Sequence, residues 1–569
     1  MLAFDTKNGT AAQAFDTRNS IACYLLLLAA YIGGLFVPLM NNDSAHHANI
    51  ALHIHQSGEW TRLITQGQNY LDKPHLLFWL AAASFKLFGV NAFAYKLPSL
   101  LFSILAVHAT IRLGALLHSA PAGRLAGVIL ASSFSFMLAN NDVRMDALLT
   151  GSIMLATWQL AAFVTVEYGG INDNSNNGGA WKHLVLGGFG LALGFAAKGM
   201  IGVAMPLIAI FLHLLYRRDW ARLFDSRWLT LALITVLFMS PVLYAYYDQF
   251  GSRGVAFILW GQNVERLAGV RFGNAGEGDS LFFVHTYLWA FLPWSLLGAW
   301  ALAAEGLTLL KNRLRPFAGG EALTLGTIVV MFVIISASRF KLPHYLNTLL
   351  PFFAIQLAAR LAPRLGQPSA HHVLWWVQAV VIGLLAAGAV ALNAWAFPLG
   401  MDGWAGAVAA LATLAVGVAL IRWQHGGARL VLASVTATAV FFVLANFNAH
   451  PQLLAYQGGT VLGKQLGARG IDTEDLYYLE NGARASSFDF AAGRLIPSLS
   501  LDELGRMARP VVLYVSAQDR EKIAAAGLSI EELTQSPDYR VTRLDRRFLD
   551  PRRRAERLKT VYLIEVMPQ

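Results

Sequence analysis

Long apolar runs separated by short polar connectors fill roughly the first 450 of the 569 residues. The first run, 21–40, holds about 20 apolar residues, enough for a helix to cross a hydrocarbon core roughly 30 Å thick. Further runs lie at 97–117, 124–140, 146–166, 184–198, 201–216, 228–247, 283–304, 323–338, 345–362, 373–395, 404–421 and 429–447, thirteen in all. A fourteenth, 75–88, is short and contains Lys86. From about residue 450 the texture changes to short strand-like runs at 476–479, 511–515 and 561–564, alternating with helical stretches at 501–507 and 519–525. That alternation predicts a small α/β domain. The expected organisation is therefore a polytopic α-helical membrane domain over 1–449, with about thirteen transmembrane helices, followed by a soluble α/β domain over 450–569.

The arginine-rich connector with Arg217, Arg218, Arg222 and Arg227 marks the cytoplasmic side, because such loops collect Lys and Arg. Counting from it, the connectors with Arg112 and Arg124, with Lys311, Arg313 and Arg315, and with Arg360 and Arg364 also fall inside. Parity then forbids 75–88 from crossing. It is expected to lie in the outer interface, within an outer-face region of loops and interfacial helices at 41–90, with Phe78, Trp79 and Phe85 in the headgroup layer and Lys73 and Lys86 snorkelling. The same count puts the polar segments 41–75, 140–146, 248–280 and 339–344 outside, together with the C-terminal domain. The two short runs around Lys198 and Gly199 are expected to be either two spans or one broken, re-entrant pair.

Composition agrees with a membrane chain: 56% of residues are hydrophobic and 14% charged, against about 25% charged in a soluble domain. The net charge of +10 follows from cytoplasmic loop bias and needs no nucleic acid. The single cysteine, Cys23, excludes an internal disulfide and a Cys-based zinc site.

Chemistry must then come from the polar residues between spans. Asp43 follows the first span, where it either caps a helix or acts as a base at the membrane surface. The nearby His46, His47, His53 and His55 are expected to be solvated or interfacial. Tyr70, Asp72 and Lys73 form a second cluster, whose outer-face lysine suits either headgroup snorkelling or an anionic lipid phosphate. Arg144 and Asp146 share one short outer connector, where they either neutralise each other or serve a site. Lys198, Asn263, Arg266, His285, Arg339, Lys341, His344 and Tyr345 complete the outer-face polar set.

In order along the chain, Asp43, Tyr70-Leu71-Asp72-Lys73-Pro74 with Phe78-Trp79, Arg144-x-Asp146, Lys198-Gly199, Asn263-x-x-Arg266 and Lys341-Leu342-Pro343 with Tyr345 resemble the motifs of GT-C-fold lipid-linked-sugar glycosyltransferases. The resemblance is to the protein O-mannosyltransferase and aminoarabinose-transferase (ArnT-like) superfamily, and covers roughly residues 20–350. It implies a glycosyltransferase of the bacterial inner membrane. A sugar would pass from polyprenyl (undecaprenyl) phosphate to a lipid A, protein or glycan acceptor on the periplasmic face. Carried over residue by residue, it makes Asp43 the catalytic carboxylate and Asp146 a second site acid. Lys73, Arg266, Lys341 and Tyr345 would hold the donor phosphate, with Tyr70, Asp72, Arg144, Lys198, Asn263, His285 and His344 nearby. The chain departs from many relatives in having Asp43-Ser44 for Asp-Glu, and from the aminoarabinose branch in having Asp72-Lys73-Pro74 for Glu-Lys-Pro. No cofactor is required; a divalent metal is admitted by the wider fold, although these residues define no ligand set. The alternative from another class is a polytopic transporter or lipid flippase, which would be expected to show repeated halves.

Overall fold

A computed structural model describes residues 15–166, 177–262, 279–316, 320–366, 371–400, 403–424 and 426–567. Among these, eight helices are long and apolar enough to cross a membrane, or nine if a bent pair counts as one span, and shorter apolar helices lie beside them. Each of the thirteen apolar runs falls on a helix or a helix pair. The chain is thus a multi-pass membrane protein, although several runs do not make a full-length span by themselves.

The first helix, α1 (Thr17–Phe36), ends beneath the segment that carries Asp43. Its last carbonyls lack partners within the helix. They are met by Lys96, fully buried in α4 (Ala92–Leu117), whose Nζ donates to Gly34 O at 2.9 Å and Val37 O at 2.7 Å. Helix α2 (Asp43–Ser57) then starts at an Asn42 cap, whose side chain accepts from Ser44 N, and stops at Gly58 in the left-handed region (φ 75°). The cap is Asn42 rather than Asp43, so the Asp43 carboxylate is not engaged by its own helix.

A small hairpin, β1 (Ile64–Thr65) with β2 (Gln68–Asn69), leads to α3 (Leu76–Phe88). Helix α3 is apolar around its circumference and packs against α2 and α4, leaving only its C-terminal end, with Leu87 and Phe88, exposed. Phe78 and Phe85 are accordingly fully buried in protein, not set in the headgroup layer, and the half-buried Trp79 donates its indole N–H to Trp60 O. Of the two lysines, Lys86 is exposed and sits over the Trp60 ring, and Lys73 pairs with Asp72.

The run 124–140 is broken into α5 (Ala120–Ala131) and α6 (Phe134–Asn141), bent by 52° at Ser132 and Ser133. At this bend Trp294 Nε1 donates to Ser132 Oγ, and Phe134 N donates to Leu292 O from outside the helix. Beyond it, α7 (Asp146–Val166) begins at Asp146. Helices α8 (Asn177–Lys198) and α9 (Ile201–Arg217) are two separate elements joined by a tight turn at Gly199, with φ 76°. They approach so closely that a Cβ on Gly202 would lie 2.2 Å from the Gly194 backbone, a contact that only paired glycines permit.

The C-terminal residues form a five-stranded mixed sheet, β3 (Leu476–Leu479), β4 (Ser498–Leu499), β5 (Val511–Ser516), β6 (Ile530–Asp538) and β7 (Lys559–Val566), in the order β4-β3-β5-β7-β6. Strand β3 runs parallel to β4 and β5, whereas β7 pairs antiparallel with β5 and β6. Because both faces of β5 are covered, it reads as a continuous apolar run. This domain is docked on the outer-face region: Gln457 donates to Leu39 O and accepts from Asn41 N, and Asn49 Nδ2 donates to Ser486 O. Arg554, buried against Phe397, Tyr456 and Phe548, bonds to the carbonyls of Ala396 and Phe548 and completes the attachment.

Candidate active site

A polar cavity of about 260 Å³ lies where α2, the connector before α3, the α6–α7 connector, the end of α8 and the segment 340–345 converge. Its lining includes Asp43, Tyr70, Asp72, Lys73, Arg144, Asp146, Lys198, His344 and Tyr345, nine residues singled out by the sequence and drawn from five separate stretches. Three carboxylates and three permanent cations therefore face one small volume.

The charges are paired in a specific way. Arg144 Nη1 is 3.5 Å from Asp43 Oδ2, and its Nη2 is 3.0 Å from Asp142 Oδ2, which also accepts from Asn42 Nδ2. Arg144 and Asp146 do not neutralise each other; Asp146 takes Lys198 instead, at 2.8 Å, and both side chains are largely buried. Lys198 Nζ also lies 4.8 Å from the centre of the Tyr345 ring. Lys73 Nζ is 2.6 Å from Asp72 Oδ2.

His344 joins the two carboxylate groups. Its Nδ1 is 3.3 Å from Arg144 Nη1 and its Nε2 is 3.9 Å from Asp146 Oδ2. Burial pushes its pKa down to about 3, despite the opposing pull of Asp146. The ring is therefore neutral near pH 7. A guanidinium can only donate, so Nδ1 is the acceptor and the proton sits on Nε2, towards Asp146.

Asp43 is more open, with a side chain 55% exposed. Burial raises its pKa, but the Arg144 guanidinium, helped by Lys73, outweighs that and leaves it below the ordinary carboxylate value. It is ionised at neutral pH and ready to accept a proton.

Two lining histidines, His46 and His47, were read from sequence as solvated. His47 is in fact buried, packed edge-on against Tyr70 and Phe78, with its Nε2 3.3 Å from Tyr70 Oη. The signal was present: on a helix, positions three and four beyond Asp43 share its face. Lys96 was missed as well, although a lysine within an apolar run calls for an internal partner.

Other predicted residues lie elsewhere. Lys341 donates to Asp279 O and is not in the cavity lining, and His285 is exposed and paired with Asp279. Asn263 and Arg266 lie outside the described residues. Among the described residues no group of three or more His, Cys, Asp or Glu is placed to hold a metal ion.

The polar cavity shares Lys198, Phe340 and Tyr345 with a second cavity of about 320 Å³. The rest of this second cavity is mostly apolar, lined by Met200, Ile201, Ala204, Ile208, Met331, Ile334 and Ile335, with Gln262, Ser338 and Thr348 as its polar members. A charged chamber thus continues directly into a greasy one, an arrangement suited to a molecule with a polar head and a long apolar tail.

The fold is similar to the GT-C-type fold of ArnT-like membrane proteins. Residues 72–245 match the family model described as dolichyl-phosphate-mannose-protein mannosyltransferase. The structure of ArnT from Cupriavidus metallidurans bound to undecaprenyl phosphate superposes with a TM-score of 0.72 over 96% of this chain and 97% of that one, at 16% identity. Its apo form gives 0.68. In sequence, the chain is 25% identical over 344 residues to the undecaprenyl phosphate-alpha-4-amino-4-deoxy-L-arabinose arabinosyl transferase of Edwardsiella ictaluri, covering 59% of this chain and 58% of that protein. It is 26% identical over 350 residues to the protein of the same name from Pseudomonas aeruginosa, covering 60% of each. The chain thus spans about three fifths of the length of these relatives by sequence. The resemblance read from the ordered motifs is borne out, and glycosyl transfer rather than transport is the activity named for the similar proteins.

Proposed function

We propose that this protein transfers a sugar from a polyprenyl phosphate carrier to an acceptor hydroxyl or amine on the periplasmic face of a bacterial inner membrane. The observation that carries this is the junction of the charged cavity with the apolar one at Lys198, Phe340 and Tyr345. Lys73 and Lys198, with Tyr345 beside them, are placed to hold the phosphate, while the apolar cavity takes the first isoprene units. Undecaprenyl phosphate, named for the similar proteins, is the carrier this supports, and 4-amino-4-deoxy-L-arabinose the first sugar to test.

In the proposed reaction the acceptor's oxygen or nitrogen forms a bond to the anomeric carbon as the bond from that carbon to the phosphate oxygen breaks. The acceptor's proton passes to the Asp43 carboxylate, and the polyprenyl phosphate leaves with the bonding electrons. Cations at the phosphate stabilise the charge that grows there. Asp146, held by Lys198, fixes the position of that lysine. A carboxylate held low by Arg144 is a weak base. A donor phosphate that draws on Arg144 would raise the basicity of Asp43 once the donor has arrived.

The test is mass spectrometry of lipids that copurify with the protein. Polyprenyl phosphate is expected in the wild type and strongly depleted in Lys73→Met. Equal amounts in both, or none in either after expression in cells that make the carrier, would contradict the proposal.

A further inference from the structure

A second polar cavity, of about 440 Å³, lies at the seam between the membrane domain and the C-terminal domain, outside the site described above. Asn49 and His53 of α2 and the β1–β2 hairpin form one wall, and Arg484, Asp489 and Ser498 belong to the other. The volume falls within the roughly 300–1,000 Å³ of small-molecule sites.

Three of its lining residues keep a buried polar atom with no hydrogen-bond partner: Asn49 Oδ1, His53 Nε2 and Arg484 Nε. Asn49 is only 5% exposed. Buried polar groups are nearly always satisfied, because an orphan gives up its bonds to water and gains none in return. Three around one cavity point to an occupant richer in hydrogen bonds than the protein supplies. Arg484 is held in place by Ser498 Oγ and Ile496 O and lies over the Tyr478 ring at 4.4 Å.

The lining also indicates the class of ligand. The lining holds one guanidinium and one carboxyl; amide, hydroxyl and imidazole groups share the remainder with apolar side chains such as Ile64 and Leu495, and no excess of either charge marks an anion or cation site. Burial pushes the Asp489 carboxyl up to about 7, so that it exists in both donor and acceptor forms near neutrality. Such a balanced mixture of donors and acceptors matches the hydroxyls of a saccharide.

Position links this cavity to the reaction. Asn49 and His53 stand on the helix that begins with Asp43, about 9 and 15 Å further along its axis at 1.5 Å per residue. We propose that the seam cavity is a saccharide subsite, gripping a sugar of the acceptor at a distance from the position that is glycosylated. This rests on the transferase function proposed above. It gives the C-terminal domain a direct part in acceptor choice.

The experiment uses the full-length protein in detergent, with methyl α-D-glucopyranoside and methyl α-D-mannopyranoside as probes and saturation-transfer NMR as the readout. At least one glycoside is expected to give signals that fall at least fivefold in Asn49→Ala and Arg484→Ala and persist in Asp43→Asn. Asn49→Ala also removes the bond to Ser486 O, so Ser498→Trp, on the exposed rim, fills the cavity while leaving that bond intact. It should abolish the signals without altering the size-exclusion profile. No saturation transfer to either glycoside, or signals unchanged in these three variants, would overturn the proposal. So would loss in Asp43→Asn alone, which would place the sugar in the catalytic cavity. In transfer assays with a polyprenyl-phosphate sugar and an envelope lipid extract, Ser498→Trp should raise the acceptor KM at least fivefold, with kcat within twofold. Glycoside binding at the seam in a protein that transfers no sugar would refute the acceptor role and the transferase function, leaving a saccharide site only.

Discussion

Arg144 reaches Asp43 with one arm of its guanidinium, Nη1 to Oδ2 at 3.5 Å, while the other arm is anchored on Asp142 at 3.0 Å. The exposed carboxylate of the cavity is thus held by a cation that is itself fixed to the protein. This sets both the direction in which Asp43 points and the pH at which it is charged.

Removing that cation should move the acid limb of the activity profile. A carboxyl whose folded pKa is depressed keeps its charge down to that value and loses it as the pH falls further, below the ordinary value of about 3.9. Arg144→Gln takes away a lowering influence, so protonation of Asp43 begins at higher pH. The acid limb should shift upward when transfer rate is measured against pH. An unshifted limb would show that Asp43 does not govern it.

Lys198 and Asp146 form a largely buried pair, and breaking such a pair from one side leaves an uncompensated charge at a cost of about 3–5 kcal/mol. Lys198→Met should therefore lower the melting temperature in detergent by several degrees. Adding Asp146→Asn should recover part of the loss, because the stranded charge is gone. A double variant no more stable than Lys198→Met would argue against this coupling.

Lys96 never meets the cavity lining, yet it closes the end of α1 just before Asp43. Lys96→Met leaves the Gly34 and Val37 carbonyls unmet, at about 1–3 kcal/mol for a buried group. As a positioning residue it should lower kcat roughly tenfold while the donor KM changes little. A rise in KM alone would place it in binding instead.

Much of this organisation was legible in the sequence because lipid makes apolar length and charge sidedness readable. Nine cavity residues were legible because charges beside spans are costly and stand out, as Lys73, Arg144 and Asp146 do. The distant partners were not: Arg144 reaches Asp43 and Asp146 reaches Lys198 across the fold, which no local spacing reveals. Helix α3 misled for a related reason, since packing against neighbouring helices and burial in a headgroup layer both favour an apolar surface. Strand β6 escaped notice because it carries acidic residues and Pro537, as an edge strand can. The seam cavity was invisible because its walls lie more than 400 residues apart in sequence.

The central claim is that Asp43 takes the acceptor's proton in a transfer from polyprenyl phosphate. It is tested most directly by following loss of the sugar from purified donor in the presence of an envelope lipid extract, with wild-type protein and with Asp43→Asn of the same size-exclusion profile. The predicted result is a fall in transfer of at least a hundredfold, about 2.7 kcal/mol, with retained binding of polyprenyl phosphate. Full transfer by Asp43→Asn would contradict it.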